Sequence, residues 1–161
     1  MIIRDAVECD LPFLLDIYNE AIRNTAATFD LKEQTLAERQ QWFSKYGKDY
    51  PLLVAEIDGR AAGYCSLSPF REKEAYRQTV EISIYIDAVY RGRGAAGRLM
   101  EAIIEKAGSA GFHVIIAGIT AGNDTSVEMH KKFGFQYAGC FREVGYKFDQ
   151  WQDVLFYQLI L

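Results

Sequence analysis

The sequence predicts an α/β fold in which a central mixed, mostly antiparallel sheet is flanked by helices, in one domain spanning residues 1–161. Three observations carry this. Between Thr79 and Asp87, Val80, Ile82, Ile84 and Ile86 share one face while Glu81, Ser83, Tyr85 and Asp87 share the other, which is the period of a strand. Immediately afterwards Ala95–Leu99–Ile103 and Ala96–Met100–Ile104 step by four, the period of a helix from about Gly92 to Ala110. Val114–Ala117 then runs continuously apolar, as in a strand covered on both faces. Strand, helix and strand in that order imply a parallel pair joined by a right-handed crossover.

The remaining elements follow in order. Met1–Arg4 reads as a short strand. Asp10 is placed to cap a helix with Pro12 in its first turn and Leu11, Leu14, Leu15, Tyr18 and Ile22 at helical spacing. A second helix is expected over Leu36–Tyr46. Leu52–Ile57 and Ala61–Leu67 flank Asp58-Gly59 as a hairpin. After the central strand, Asn123 caps another helix that ends at Gly134, with Phe135 closing a Schellman-type contact. Gln136–Phe148 and Val154–Leu161 read as strands.

Composition narrows the function. Half of the 161 residues are apolar and a quarter are charged, the balance of a soluble globular chain. A net charge of −4 argues against a protein built to grip a phosphate backbone, although Arg91, Arg93 and Arg98 form a local basic cluster. No nucleic-acid or membrane partner is expected. Cys9, Cys65 and Cys140 are odd in number and far apart, so they are expected to be reduced thiols packed inside, with no metal-type spacing. MIIRDAVECD carries no secretory pattern, and no stretch approaches the roughly 20 apolar residues of a membrane span, so a cytoplasmic location is expected.

The most informative stretch is Tyr90-Arg91-Gly92-Arg93-Gly94-Ala95-Ala96-Gly97, between a strand and a helix. Small residues let a ligand approach the backbone, and the free N–H groups and positive dipole end of the helix suit a pyrophosphate. The bland alternative is a tight turn with solvated arginines. Gly92-x-Gly94-x-x-Gly97 satisfies the dinucleotide fingerprint, but the next strand ends in Ile119-Thr120 without the acid that would hold a ribose. A P-loop lacks its Gly-Lys-Ser/Thr.

Arg91-x-x-Gly94-x-Ala96 resembles the acyl-CoA signature of the GCN5-related N-acetyltransferases, and the order of elements resembles that superfamily throughout the chain. More specific echoes are similar to the phosphinothricin acetyltransferase family. They are Ile17-Tyr18-Asn19, Thr25-Ala26-Ala27-Thr28-Phe29, Pro69-Phe70-Arg71, Tyr76-Arg77-x-Thr79-Val80-Glu81 and Asn123-Asp124-x-Ser126-x-x-Met129-His130. The resemblance implies an enzyme that uses acetyl-CoA and no metal. Its acceptors would be phosphinothricin, methionine sulfoximine, methionine sulfone and similar small amino acids. It implies that the backbone of Arg91, Gly92, Arg93, Gly94, Ala95, Ala96 and Gly97 cradles the CoA pyrophosphate. Ile84, Tyr85 and Ile86 would pair with the pantetheine arm like an added strand. A homodimer is implied as well, and the aromatic tail after Tyr137 reads as sheet core and dimer surface.

The chemistry asks for a base, since an α-amine with a pKa of about 8 is mostly protonated at neutral pH. Glu81, just before the cofactor-contacting segment, is the expected base; the alternative is a solvent-facing strand glutamate. The leaving thiolate is helped by an acid, and many superfamily members place a Tyr on the last helix where this chain has His130. His130 is left open as proton donor, orienter of Glu81, substrate ligand or hydrogen-bonded core residue. Asn123 and Ser126 are candidate cofactor contacts, Asn123 being a helix cap in either case. On the substrate side, Arg71 offers a planar fork for a carboxylate or phosphinate, while Phe70, Tyr76 and Phe29 are candidate pocket walls. A protein N-terminal acetyltransferase and a non-catalytic CoA-binding sensor remain as alternatives.

Overall fold

The computed structural model describes residues 1–161. Seven strands and four α-helices follow in the order β1 (Ile2–Asp5), α1 (Leu11–Asn24), α2 (Leu36–Phe43), β2 (Leu52–Ile57), β3 (Arg60–Pro69), β4 (Thr79–Ile86), α3 (Ala95–Ser109), β5 (Val114–Thr120), α4 (Asp124–Lys132), β6 (Gln136–Lys147) and β7 (Gln150–Ile160). They form one sheet in the order β1-β2-β3-β4-β5-β7-β6. Only β4 and β5 are parallel, joined through α3, and every other neighbour is antiparallel.

Two apolar cores lie on opposite faces. Leu53, Ala55, Val80, Ile82, Ile115, Ala117 and Ile119 pack with Leu99, Met100 and Ile103 of α3 and Val127 of α4. Leu52, Val54, Ala61 and Tyr64 pack with Leu14 and Ile17 of α1. Alternation along each strand thus sends successive side chains to different helices.

Several expectations shift in detail. Asp10 precedes α1, but its carboxylate makes no cap for that helix. It pairs with Arg4 at 2.8 Å and accepts from Val7 N at 2.8 Å, so the buried carboxylate is committed to a half-exposed guanidinium and a loop N–H rather than to the helix N–H groups. α2 stops at Phe43, held at its start by a Thr35–Glu38 capping box. β5 is not covered on both faces: Ile115, Ala117 and Ile119 are buried, whereas Val114 and Ile116 are half-buried and Gly118 is exposed. The cysteines differ from one another too, since Cys65 is buried, Cys140 is half-buried and Cys9 is exposed. The end of α4 matches the expected closure, with Gly134 at φ 89° and Phe135 N donating to His130 O at 3.1 Å.

Candidate active site

β4 and β5 pair only from Thr79–Val114 to Glu81–Ile116. Beyond that point β4 stays bonded to β3 as far as Ile86, while β5 stays bonded to β7 as far as Thr120. The two strands therefore part, leaving backbone edges that no strand covers. A cleft of about 1000 Å³ opens at the wide end, and an inner chamber of about 240 Å³ lies at the narrow end. Ala27, Ile84, Tyr85, Thr120, Asn123 and Ser126 line both.

The outer cleft is lined by Ile84, Tyr85, Ile86, Arg91, Gly92, Gly94, Ala95, Ala96, Asn123 and Ser126, and by Ile17, Glu20 and Ala21 of α1. Gly92 and Gly94 hold φ of 75° and 81°, a backbone that a side chain would strain. The first bond inside α3 runs from Arg98 N to Gly94 O at 3.2 Å, so the N–H groups before it have no helical acceptor. Free donors and a helix dipole of this kind are what an anion site is built from. Arg91 reaches this helix start from one side, donating to Ile86 O at 3.2 Å and to Glu20 at 2.9 Å. Arg93 and Gly97 do not line the cleft; Arg93 is exposed and lies over the Tyr90 ring at 5.3 Å. Asn123 caps α4 by accepting from Ser126 N at 3.3 Å.

Glu81 and His130, from opposite faces of the sheet, meet in the inner chamber. Glu81 sits where the strands part, and Gly118 opposite has no side chain; a Cβ there would stand 3.7 Å from Glu81 Oε1. Burial pushes the Glu81 carboxyl above its ordinary pKa, and the Arg71 guanidinium works against that rise. His130 is 2% exposed, and its Nδ1 lies 2.7 Å from Ser126 O. A carbonyl only accepts, so Nδ1 carries the proton and Nε2 is left as an acceptor. Burial lowers the His130 pKa, with the Ser126 bond opposing, which keeps the ring neutral at pH 7. In this tautomer His130 has no Nε2 proton to give. Of the roles left open for His130, proton donor is the one this tautomer disfavours.

The substrate-side candidates line neither cavity. Phe70 and Tyr76 pack edge to face at 5.8 Å, with Arg71 over Phe70 at 4.9 Å, in an exposed loop whose charge nevertheless reaches Glu81. Phe29 instead packs on Gly145, where even a Cβ would overlap its ring. Its neighbours Ala27 and Thr28 are the ones that form the chamber wall. That wall is pinned by Thr120 Oγ1 donating to Ala26 O at 2.6 Å and by buried Lys147 donating to Thr28 O at 2.9 Å.

A family model described as an acetyltransferase (GNAT) domain matches residues 3–156. The chain belongs to the GNAT acetyltransferase family. Within that family, an L-methionine sulfoximine/L-methionine sulfone acetyltransferase of Pseudomonas paraeruginosa is 42% identical, over 99% of this chain and 94% of the relative. A phosphinothricin acetyltransferase of Sinorhizobium meliloti, solved in complex with AcCoA, superposes with a TM-score of 0.96 at 34% identity. The match covers 99% of this chain and 88% of that one. A structure named ribosomal-protein-alanine N-acetyltransferase, from Brucella melitensis, superposes with a TM-score of 0.98 at 43% identity and covers both chains fully.

Sequence reasoning missed Glu20, Tyr90, Thr120 and Met129 as GNAT cleft residues. Glu20 follows the buried stripe of α1 by less than a turn, and only the fold shows that this helix end borders the cleft. Thr120 had a signal: a hydroxyl closing an apolar strand needs a partner when buried, and it finds Ala26 O.

Proposed function

We propose that this acetyltransferase moves the acetyl group of acetyl-CoA to the α-amino group of a small amino-acid-like acceptor such as phosphinothricin, methionine sulfoximine or methionine sulfone. The observation that carries this reading is the parting of β4 and β5 into a wide cleft beside the start of α3 and a narrow chamber lined by Glu81 and His130. The pyrophosphate would lie on the N–H groups and Arg91 at the start of α3, with the pantetheine arm along the free edge of Ile84–Ile86. The thioester would then point into the inner chamber. There the acceptor amine gives its proton to Glu81 and attacks the carbonyl carbon, with His130 Nε2 as a second acceptor that orients it. Arg71, beside Glu81, is the proposed partner of the acceptor's acid group. The names of the Pseudomonas and Sinorhizobium relatives support the acceptor class.

The Brucella name favours a second reading, acetylation of a protein N-terminus. A chamber of about 240 Å³ fits a compact acid better than a folded peptide end. CoA-thiol release with phosphinothricin, methionine sulfoximine, methionine sulfone, ordinary amino acids and a short alanine-starting peptide separates the two. Turnover confined to the small acids is expected. Turnover on the peptide alone would overturn the acceptor class.

Two broader features belong to the same reading. The edge hairpin β6–β7 exposes Tyr137, Phe141, Tyr146 and Trp151, more apolar surface than an isolated edge carries, and it is proposed as the homodimer face. No helix is long and apolar enough to cross a membrane. The proposed location is the cytoplasm, where acetyl-CoA and free amino acids meet.

A further inference from the structure

Forming an amide from a thioester moves charge at two places. The nitrogen sheds a proton, and the sulfur receives the electron pair of the breaking C–S bond. Glu81 and His130 answer only the first need, because the Nδ1 proton of His130 is committed to Ser126 O and Nε2 has none to offer. With the cofactor in the outer cleft and its acyl end in the inner chamber, the sulfur passes the six residues that line both. Ala27 and Ile84 carry no side-chain donor. Thr120 already donates to Ala26 O at 2.6 Å. Ser126 Oγ lies 3.3 Å from the protonated Nδ1 of His130 and Asn123 caps α4 through its amide oxygen, so both keep protons to give, but from flexible side chains at the start of α4.

Tyr85 differs from these in carrying its donor on a clamped ring. Its ring is fixed by Tyr18 at 5.4 Å and Tyr64 at 5.5 Å, and Arg39 donates to Tyr64 Oη from behind at 2.6 Å. The Thr28 hydroxyl bonds Tyr18 at 2.9 Å and also acts on the Tyr85 phenol as a donor, which leaves the phenol's own proton uncommitted. The Tyr85 hydroxyl makes no hydrogen bond of ordinary length with the protein, yet it is not sealed in, because Arg39 Nε is the one sealed side-chain polar atom without a partner. Tyr85 is one of the six residues at the junction that line both the cleft and the chamber. A rigid ring carrying a free donor at that junction is hard to explain by packing alone.

We propose that the Tyr85 hydroxyl donates a hydrogen bond to the cofactor sulfur as it leaves. This rests on the acetyl-CoA reading above and gives a catalytic role to a residue otherwise expected to offer only its backbone. In the step, the amine nitrogen bonds to the carbonyl carbon and its proton passes to Glu81. The C–S bond then breaks, its electron pair goes to sulfur, and the phenol O–H spreads that charge. Protonated Glu81 returns its proton through solvent, so the products are the amide and the CoA thiol. Burial pushes the phenol up to about 12, with Arg39 and Thr28 opposing, so Tyr85 stays a loaded donor throughout the working range.

Titration of CoA and of desulfo-CoA, which lacks the sulfur, into the wild-type protein and Tyr85→Phe tests the assignment. At pH 9 a thiol of pKa about 8.5 is mainly thiolate. A charge-assisted bond predicts that the wild type holds CoA about tenfold more tightly than desulfo-CoA and that the variant holds both equally. Turnover of the variant should fall about tenfold or more, with the acetyl-CoA KM within about twofold of wild type. The same preference for CoA in both proteins, or an equal loss of both ligands in the variant, would overturn the role of Tyr85. Failure of the wild type to bind either ligand would instead overturn the cofactor reading, and the role with it.

Discussion

Glu81 holds its proton more tightly than an exposed glutamate, because burial disfavours the carboxylate, and the Arg71 guanidinium offsets part of that effect. A base works only when ionised, so turnover falls as the pH drops through this raised pKa. Removing the cation raises the pKa further. Arg71→Gln is therefore expected to move the acidic limb of the kcat/KM profile to higher pH as well as raising the acceptor KM. A limb that stays in place would show that Arg71 does not act on Glu81. These two residues also mark what a sequence makes legible. Alternation puts Glu81 on the polar face of its strand, but nothing in the period says that the next strand turns away just beyond it. The meeting with His130 depends on that parting. Phe29 misleads for the opposite reason: a motif neighbour of the chamber wall, it spends its ring on Gly145, more than a hundred residues away.

At the scale of elements, the start of α3 depends on backbone geometry as much as on charge. Gly94 sits at φ 81° and ψ 3° immediately before the helix, with open space around the position a Cβ would take. Gly94→Ala meets no clash, so its cost is conformational, about 1 kcal/mol from the left-handed backbone. A lower melting temperature and a raised KM for acetyl-CoA, with kcat nearly unchanged, are expected. A drop in kcat without a change in KM would contradict an anion site at this turn. This loop was the most legible part of the chain as a turn, since closely spaced small residues between a strand and a helix announce the positive-φ backbone that Gly92 and Gly94 adopt. Glu20, now paired with Arg91, was not, because its place at the cleft is set by how α1 packs across the sheet.

For the whole molecule, strand periods and the βαβ step made the mixed sheet readable, while the exposure of its last edge was less so. Aromatic residues after Tyr137 read equally as core and as surface. Tyr157 is core, but Tyr146 and Trp151 are 53% and 64% exposed and pack on each other at 4.9 Å. If this hairpin joins two copies, light scattering should give twice the chain mass, and a Phe141→Glu/Trp151→Glu pair should give the single-chain mass. A monomeric wild type would remove the proposed interface. The hairpin also reaches inward, where Lys147 holds the carbonyls of Thr28 and Asp30 at 2.9 and 3.1 Å. The chamber wall thus depends on the element that would carry the dimer.

The central claim is that the inner chamber takes a proton from an amine while the acetyl group arrives through the cleft. Its most direct test is CoA-thiol release with methionine sulfone as acceptor, followed across pH for the wild type and Glu81→Gln, beside acetyl-CoA affinity measured by calorimetry. The account predicts that the variant loses about 100-fold or more in kcat, within the usual range for a general base, and keeps its acetyl-CoA affinity. A variant that turns over within a few-fold of wild type with the same acidic limb would contradict it.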